Sequence, residues 1–154
     1  MSVKKLANEK LVSSSLIDEL LVFSKNKFDG VISSFIELSI YTGLRSGELI
    51  ALKFSDINGD GNLIMDKRGG SIEVHIISQA KKVLNNLRIE NPESIYIFQL
   101  KNDIEEARPI PFKYVEIVLR EFSELKKVEI RFNTFRRRLC YQQKDSKIII
   151  EKYC

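Results

Sequence analysis

One positively charged side chain stands where the sequence could form a phosphate-binding site. Arg45 lies in an otherwise apolar run from Tyr41 to Ile57, two residues after Gly43. Because a charged side chain is costly to bury unless it is paired, we expect Arg45 and Glu48 to be buried together. A guanidinium group carries a rigid fork of donors that matches a planar, doubly accepting anion. The pattern therefore predicts that Arg45 binds a phosphate.

The charge of the chain is concentrated at one end. Of 25 basic and 21 acidic residues, seven basic and two acidic ones lie from Arg131 to Cys154, which leaves 18 basic and 19 acidic residues elsewhere. A neutral body with a basic end is typical of a protein that binds a polyanion. A solvated basic helix is the alternative interpretation.

Composition limits the class of protein. The 154 residues fit one domain, and 44% hydrophobic residues suffice for a core. No apolar run has membrane-spanning length, and the N-terminus lacks the apolar stretch of a signal peptide. Cys140 and Cys154 have no metal-ligand spacing and form no disulfide framework. We expect a cytoplasmic protein that does not associate with membranes.

Hydrophobic spacing and turn residues predict a mainly helical α+β domain with one small antiparallel sheet. Helices are expected at about 13–27, at 31–42 before Gly43, from Glu48 past Leu52, from Ser78, and after Pro111. Two further helices are expected near 134–143 and 147–153. A β-hairpin is expected where strands 63–66 and 71–77 flank Lys67-Arg68-Gly69-Gly70, and a short strand at 95–98.

Two motifs carry a resemblance to a known family. The run Thr42-Gly43-Leu44-Arg45-Ser46-Gly47-Glu48 and its continuation to Ile57 resemble the first arginine motif of tyrosine recombinases, the phage integrase family. The run from Phe132 to Arg138 resembles the family's His-x-x-Arg box. The resemblance covers almost the whole chain and implies a tyrosine recombinase catalytic-domain fold. It also implies DNA strand cleavage and rejoining through a 3′-phosphotyrosine, without metal or nucleotide cofactor. The implied partner is double-stranded DNA, on which the protein could form homo-oligomers.

The resemblance implies a role for each candidate site residue. Arg45 and Arg136 would hold the scissile phosphate, Lys67 would donate a proton to the departing oxygen, and Glu48 would support the site. The residues expected to contact the DNA backbone are Thr42, Arg68, Arg131, Arg137 and Arg138.

The sequence departs from the family pattern at two places. Asn133 holds the histidine position and can bond a phosphate oxygen but cannot move a proton near neutral pH. The only histidine, His75, is expected to be a partly exposed strand residue. The family's nucleophilic tyrosine has no match, because Tyr153 falls too early. We therefore expect residues 1–154 to be a single catalytic domain shortened before its nucleophile, without an N-terminal core-binding domain.

Two alternatives follow from these departures. The chain could be a naturally short, catalytically inactive relative that binds DNA or a protein partner, which Asn133 favours. It could also be a scaffold in which Ile148-Ile149-Ile150 docks on a second copy, although the same run could complete the local core.

Overall fold

A computed structural model describes residues 4–5, 14–67, 69–100 and 106–132 of the chain. The helices are α1 (Ser14–Lys25), α2 (Val31–Thr42), α3 (Ser46–Ile50), α4 (Ser78–Glu90) and α5 (Phe112–Lys126). The strands are β1 (Lys4–Lys5), β2 (Leu63–Lys67), β3 (Gly70–Val74) and β4 (Val128–Glu129). Short 3₁₀ turns at Phe28–Gly30 and Phe54–Asp56 precede α2 and β2. No helix in these ranges is both long and apolar enough to cross a membrane.

Helix α2 lies at the centre of the fold and contacts α1, α3, α4 and α5. Nine of its twelve residues are buried, including the fully buried Phe35. A helix with buried residues on most of its sides needs neighbours around it, and the surrounding helices cover α2. The C-terminal end of α2 is therefore fixed by packing on several sides.

The two pairs of strands lie in separate two-stranded sheets. Strands β2 and β3 form an antiparallel hairpin in which Leu63 pairs with Val74 and Lys67 pairs with Gly70. Gly69 and Gly70 have φ angles of 90° and 127°, which other residues rarely adopt, so the predicted glycine turn is confirmed. Strands β1 and β4 pair in parallel, with Lys4 opposite Val128.

The mainly helical α+β fold with a small antiparallel sheet is confirmed. The helices predicted at 13–27, 31–42, from Ser78 and after Pro111 are present within a few residues of the expected bounds. The predicted C-terminal helices lie outside the described residues.

Three predicted features differ in the structure. Helix α3 ends at Ile50, so Leu52 lies beyond it in an extended segment. The run 95–98 forms no strand and makes one isolated bridge, between Tyr96 and Lys53. Strand β3 ends at Val74 rather than at residue 77, and the β1–β4 pair was not expected.

Candidate functional site

A tight turn between α2 and α3 presents Arg45. Helix α2 ends at Thr42, and Gly43 adopts a left-handed conformation with φ of 68° while its N–H donates to the Ser39 carbonyl at 2.9 Å. Leu44 is fully buried and anchors the turn in the core. Arg45 then takes the extended N-cap position of α3, with φ of −70° and ψ of 152°. The turn therefore holds the Arg45 backbone between two fixed points.

The expectation that Arg45 and Glu48 are buried together is wrong. Arg45 is exposed and Glu48 is half-buried, because Leu44 and Leu49 fill the interior on either side. The Glu48 carboxylate accepts a hydrogen bond from the Arg45 backbone N–H at 3.1 Å. An acidic residue three positions after the N-cap commonly satisfies that backbone donor. Glu48 therefore fixes the backbone that carries the exposed guanidinium group.

Thr42 lies in the interior rather than on the surface where it could reach a DNA backbone. Its side chain is 3% exposed, and its hydroxyl donates to the Leu38 carbonyl at 2.7 Å and accepts from the Leu44 N–H at 3.2 Å. Both bonds serve the turn that leads to Arg45. Thr42 therefore supports this turn, and its buried hydroxyl is not placed to make the DNA contact predicted for it.

Lys67 is the last residue of β2 and begins the hairpin turn. Its backbone pairs with Gly70 across the hairpin, which leaves two residues, Arg68 and Gly69, at the tip. Arg68 lies outside the described residues. The lysine position is thus fixed by the register of the hairpin.

A polar network at the base of this hairpin was missed by sequence reasoning. The Glu73 carboxylate of β3 accepts from the Asn58 amide at 2.6 Å and from the Asn62 amide at 3.1 Å. These hydrogen bonds lower the pKa of Glu73 below its ordinary value, with smaller contributions from the nearby charges of His75 and Lys81. The run Asn58-Gly59-Asp60-Gly61 has the composition of a turn, and nothing in the sequence indicates that Asn58 would bond a residue of β3.

His75 occupies the exposed position expected of it. It follows β3, its side chain is 71% exposed, and its Nε2 atom lies 3.9 Å from Glu73. The neighbouring Val74 and Ile76 are buried, whereas Ile72, nearer the hairpin tip, is 39% exposed.

The segment that leads to the second arginine motif is anchored by aromatic packing. The Phe132 ring lies 5.4 Å from the ring of Phe35 and 5.7 Å from that of Phe112, between centroids. Phe132 is 8% exposed. Arg131 points outward, with 76% of its side chain exposed, and its Nε pairs with the Glu129 carboxylate.

A surface groove joins the two motifs. The groove, about 710 Å³ in volume, is lined by Ser46, which follows Arg45, and by Phe132, which precedes Asn133. The structure therefore brings the residues adjoining both predicted phosphate-binding motifs to one surface. The predicted site residues Asn133, Arg136, Arg137 and Arg138, and also Tyr153, lie outside the described residues.

Comparison with known proteins gives one family. The sequence model described as "Phage integrase family" matches residues 11–148. No curated protein sequence matches the chain.

Solved structures with the same fold include recombinases and integrases. A crystal structure of XerA recombinase superposes with a TM-score of 0.66 at 15% identity, covering 87% of this chain and 49% of that one. The Tn1549 transposon integrase (residues 82–397) in complex with circular intermediate DNA gives a TM-score of 0.64 at 11% identity, covering 93% and 55%. Its Y379F form in complex with transposon right end DNA gives 0.65 at 10%, covering 92% and 57%. The chain thus spans about half the length of these structures.

Proposed function

This chain belongs to the phage integrase family, and from that premise we propose that it is the DNA-binding catalytic domain, or a fragment of it, of a tyrosine recombinase. The parent reaction would be site-specific cleavage and rejoining of DNA strands through a 3′-phosphotyrosine. The integrase structures with a similar fold contain circular intermediate DNA in one case and transposon right end DNA in the other, which supports DNA as the partner of this chain.

One observation carries the proposal. Arg45 is exposed on a turn that the core and Glu48 hold in place, and its neighbour Ser46 shares a groove with Phe132. An exposed guanidinium on a fixed backbone is arranged to bind a phosphate, because little further ordering of the chain is needed when the anion arrives. A simple core ion pair would instead have buried both charges.

The roles of the other candidate residues follow from a phosphate bound at Arg45. Arg136, four residues after Phe132, would add a second guanidinium to the phosphate bound by Arg45, and two such groups stabilise negative charge that develops in a phosphoryl-transfer transition state. Lys67 would donate a proton to the departing oxygen, and Asn133 would donate a hydrogen bond to a phosphate oxygen. Arg68, Arg131, Arg137 and Arg138 would contact the DNA backbone without reading its sequence.

Salt-dependent DNA binding tests the proposal. With a fluorescent duplex titrated at several salt concentrations, Arg45→Ala should lower the affinity about tenfold or more, since it removes a charge-assisted, forked contact. It should also make the salt slope shallower by about 0.9, the value for one phosphate contact. Arg45→Lys should keep the slope but lose part of the affinity, because it keeps the charge and loses the fork.

The matched control is Lys82→Ala, which removes an exposed charge from α4, a helix that belongs to neither motif. It should change neither the affinity nor the slope by an amount comparable with Arg45→Ala. If Arg45→Ala behaved like Lys82→Ala, the assignment of Arg45 to a phosphate would be wrong.

The alternative function is that of a catalytically inactive recombinase-fold module that binds DNA or protein. Asn133 favours it, because asparagine cannot supply the proton chemistry of a histidine. Both functions predict the salt-dependent binding above, whereas only the first predicts covalent capture of a nicked DNA substrate by the full-length parent protein.

A further inference from the structure

The hairpin that carries Lys67 packs on the core through Leu63, Met65 and Val74, whereas Asp66, Ser71 and Ile72 nearer its tip are exposed. It is a two-stranded sheet of five residue pairs, and an isolated two-stranded hairpin is marginally stable in water. Register matters here, because a slip of one residue would turn every side chain of the strand to the opposite face. Contacts between the hairpin and the rest of the chain, beyond the ladder itself, therefore help to fix where Lys67 lies.

The polar network at the base of the hairpin can do this, because its two asparagine amides can take only one orientation. The Asn58 oxygen accepts the backbone N–H groups of Asp60 and Asn62, both at 3.0 Å. The Asn62 oxygen accepts the Ile76 N–H at 3.2 Å. Since a backbone N–H can only donate, both amide oxygens must face these groups, and both NH₂ groups must face Glu73.

Glu73 is a suitable partner for two donors. An ionised carboxylate only accepts hydrogen bonds, and bonds to a charged acceptor are stronger than neutral ones. The two bonds connect β3, which follows the hairpin turn, to the loop that precedes β2. Glu73 pairs with Ile64 in the ladder, three positions from the pair formed by Lys67 and Gly70. This separation is roughly 10 Å along the strand.

We propose that Glu73, held by Asn58 and Asn62, is a positioning residue that fixes the register of the hairpin and thereby presents Lys67 to bound DNA. This inference rests on the proposed function, because it assigns Lys67 to a DNA contact. Nearer the tip, the Ser71 hydroxyl donates to Asp66 at 2.8 Å across the strands. The base network and this tip contact hold the two ends of the hairpin.

Amide hydrogen exchange of the full chain tests the positioning without DNA. Glu73→Ala should accelerate exchange of the amides from residue 64 to residue 72 by about threefold to tenfold, since it removes two hydrogen bonds of ordinary strength or better. Exchange in α2 should stay unchanged. Glu73→Gln, which keeps the shape and one neutral oxygen, should restore part of the protection. The control Glu93→Ala removes another exposed carboxylate, located in the loop after α4.

A double-mutant cycle in DNA affinity tests the link to Lys67. Glu73→Ala should weaken binding to a fluorescent duplex by about threefold to tenfold. It should have no further effect once Lys67→Ala is present, because its influence passes through that side chain. An equal loss in both backgrounds would overturn the proposal, and so would unchanged exchange in the hairpin.

If the proposed DNA-binding function itself were wrong, the binding experiments would give a different set of results. If Arg45→Ala and Lys67→Ala both left DNA affinity unchanged, the proposed DNA site would be wrong, and the functional half of this inference would fail with it. If Arg45→Ala weakened binding while Glu73→Ala did not, only the positioning role would be lost.

Discussion

Replacing Phe132 with alanine should be the most damaging single change among the described residues near the site. Phe132 is 8% exposed, and its ring packs against Phe35 and Phe112 at centroid distances of 5.4 and 5.7 Å. Loss of a buried phenylalanine ring costs about 3–5 kcal/mol of unfolding free energy. The total stability of a single domain is about 5–15 kcal/mol, so the change would remove a large part of it.

Guanidinium chloride unfolding measures this loss, with Phe132→Leu as the matched variant. Leucine keeps most of the buried volume and should cost less than about 1.5 kcal/mol. If Phe132→Ala cost less than about 1 kcal/mol, a value typical of substitutions outside a packed core, the aromatic anchor would be refuted. An equal cost for alanine and leucine would also refute it, because ring volume would then not matter.

The same pair of variants connects packing to the proposed function. At a temperature where both remain folded, Phe132→Leu should bind duplex DNA with nearly the affinity of the unmodified chain. Phe132→Ala should bind more weakly, because the segment that begins at Asn133 loses its attachment to the core. Equal binding by both variants would show that this attachment does not position the second arginine motif.

Three further predictions concern the turn and the hairpin. Thr42→Val should cost about 1–3 kcal/mol in chemical unfolding, because the N–H of the fully buried Leu44 loses its acceptor. Asn62→Ala should cost a similar amount, about 1–3 kcal/mol, by leaving the Ile76 N–H unpaired, whereas alanine at an exposed asparagine of α4 should change stability by less than about 0.5 kcal/mol. The lowered pKa of Glu73 means that the unfolded chain binds more protons in acid. The stability difference between the unmodified chain and Glu73→Gln should therefore be constant above the ordinary carboxyl pKa of 4.5 and shrink as the pH falls through the lowered pKa, which unfolding measured at several pH values will check.

Local signals account for the parts of the fold that were predicted. Gly43 ends α2 because its left-handed φ of 68° is easy for glycine, and Gly69 and Gly70 set the hairpin turn for the same reason. Helix α5 follows Pro111 with apolar residues at helical spacing. Each of these features depends on residues that are close in the sequence.

Features that depend on distant partners were not predicted. Helix α3 stops at Ile50 because the following segment is extended: the Leu52 carbonyl accepts from the Ile97 N–H at 3.0 Å, and the Phe54 N–H donates to Ile95. The run 95–98 does not become a strand, since the Gln99 side chain accepts the N–H groups of Ile95 and Tyr96. Side chains that bond nearby backbone groups compete with a sheet ladder in this way.

In the candidate site, too, features that depend on nearby residues were predicted and features that depend on distant residues were not. Glycine and charge patterns located the Arg45 motif, and the family resemblance pointed to the hairpin lysine. The sequence prediction placed Arg45 in the interior, since an apolar run does not reveal that Leu44 and Leu49 fill the core instead. The Glu73 network joins residues 11 and 15 positions apart, and no periodic pattern records such a pairing.

The parallel pairing of β1 with β4 has a consequence for the order of folding. Lys4 lies opposite Val128, 124 positions away along the chain, and each strand has only two residues. Closing so long a loop costs chain entropy that two residue pairs repay poorly, and non-local parallel pairing is slow for this reason. We expect the helices around α2 to assemble first and the β1 strand to join afterwards, so that on unfolding β1 separates first while the helical core persists.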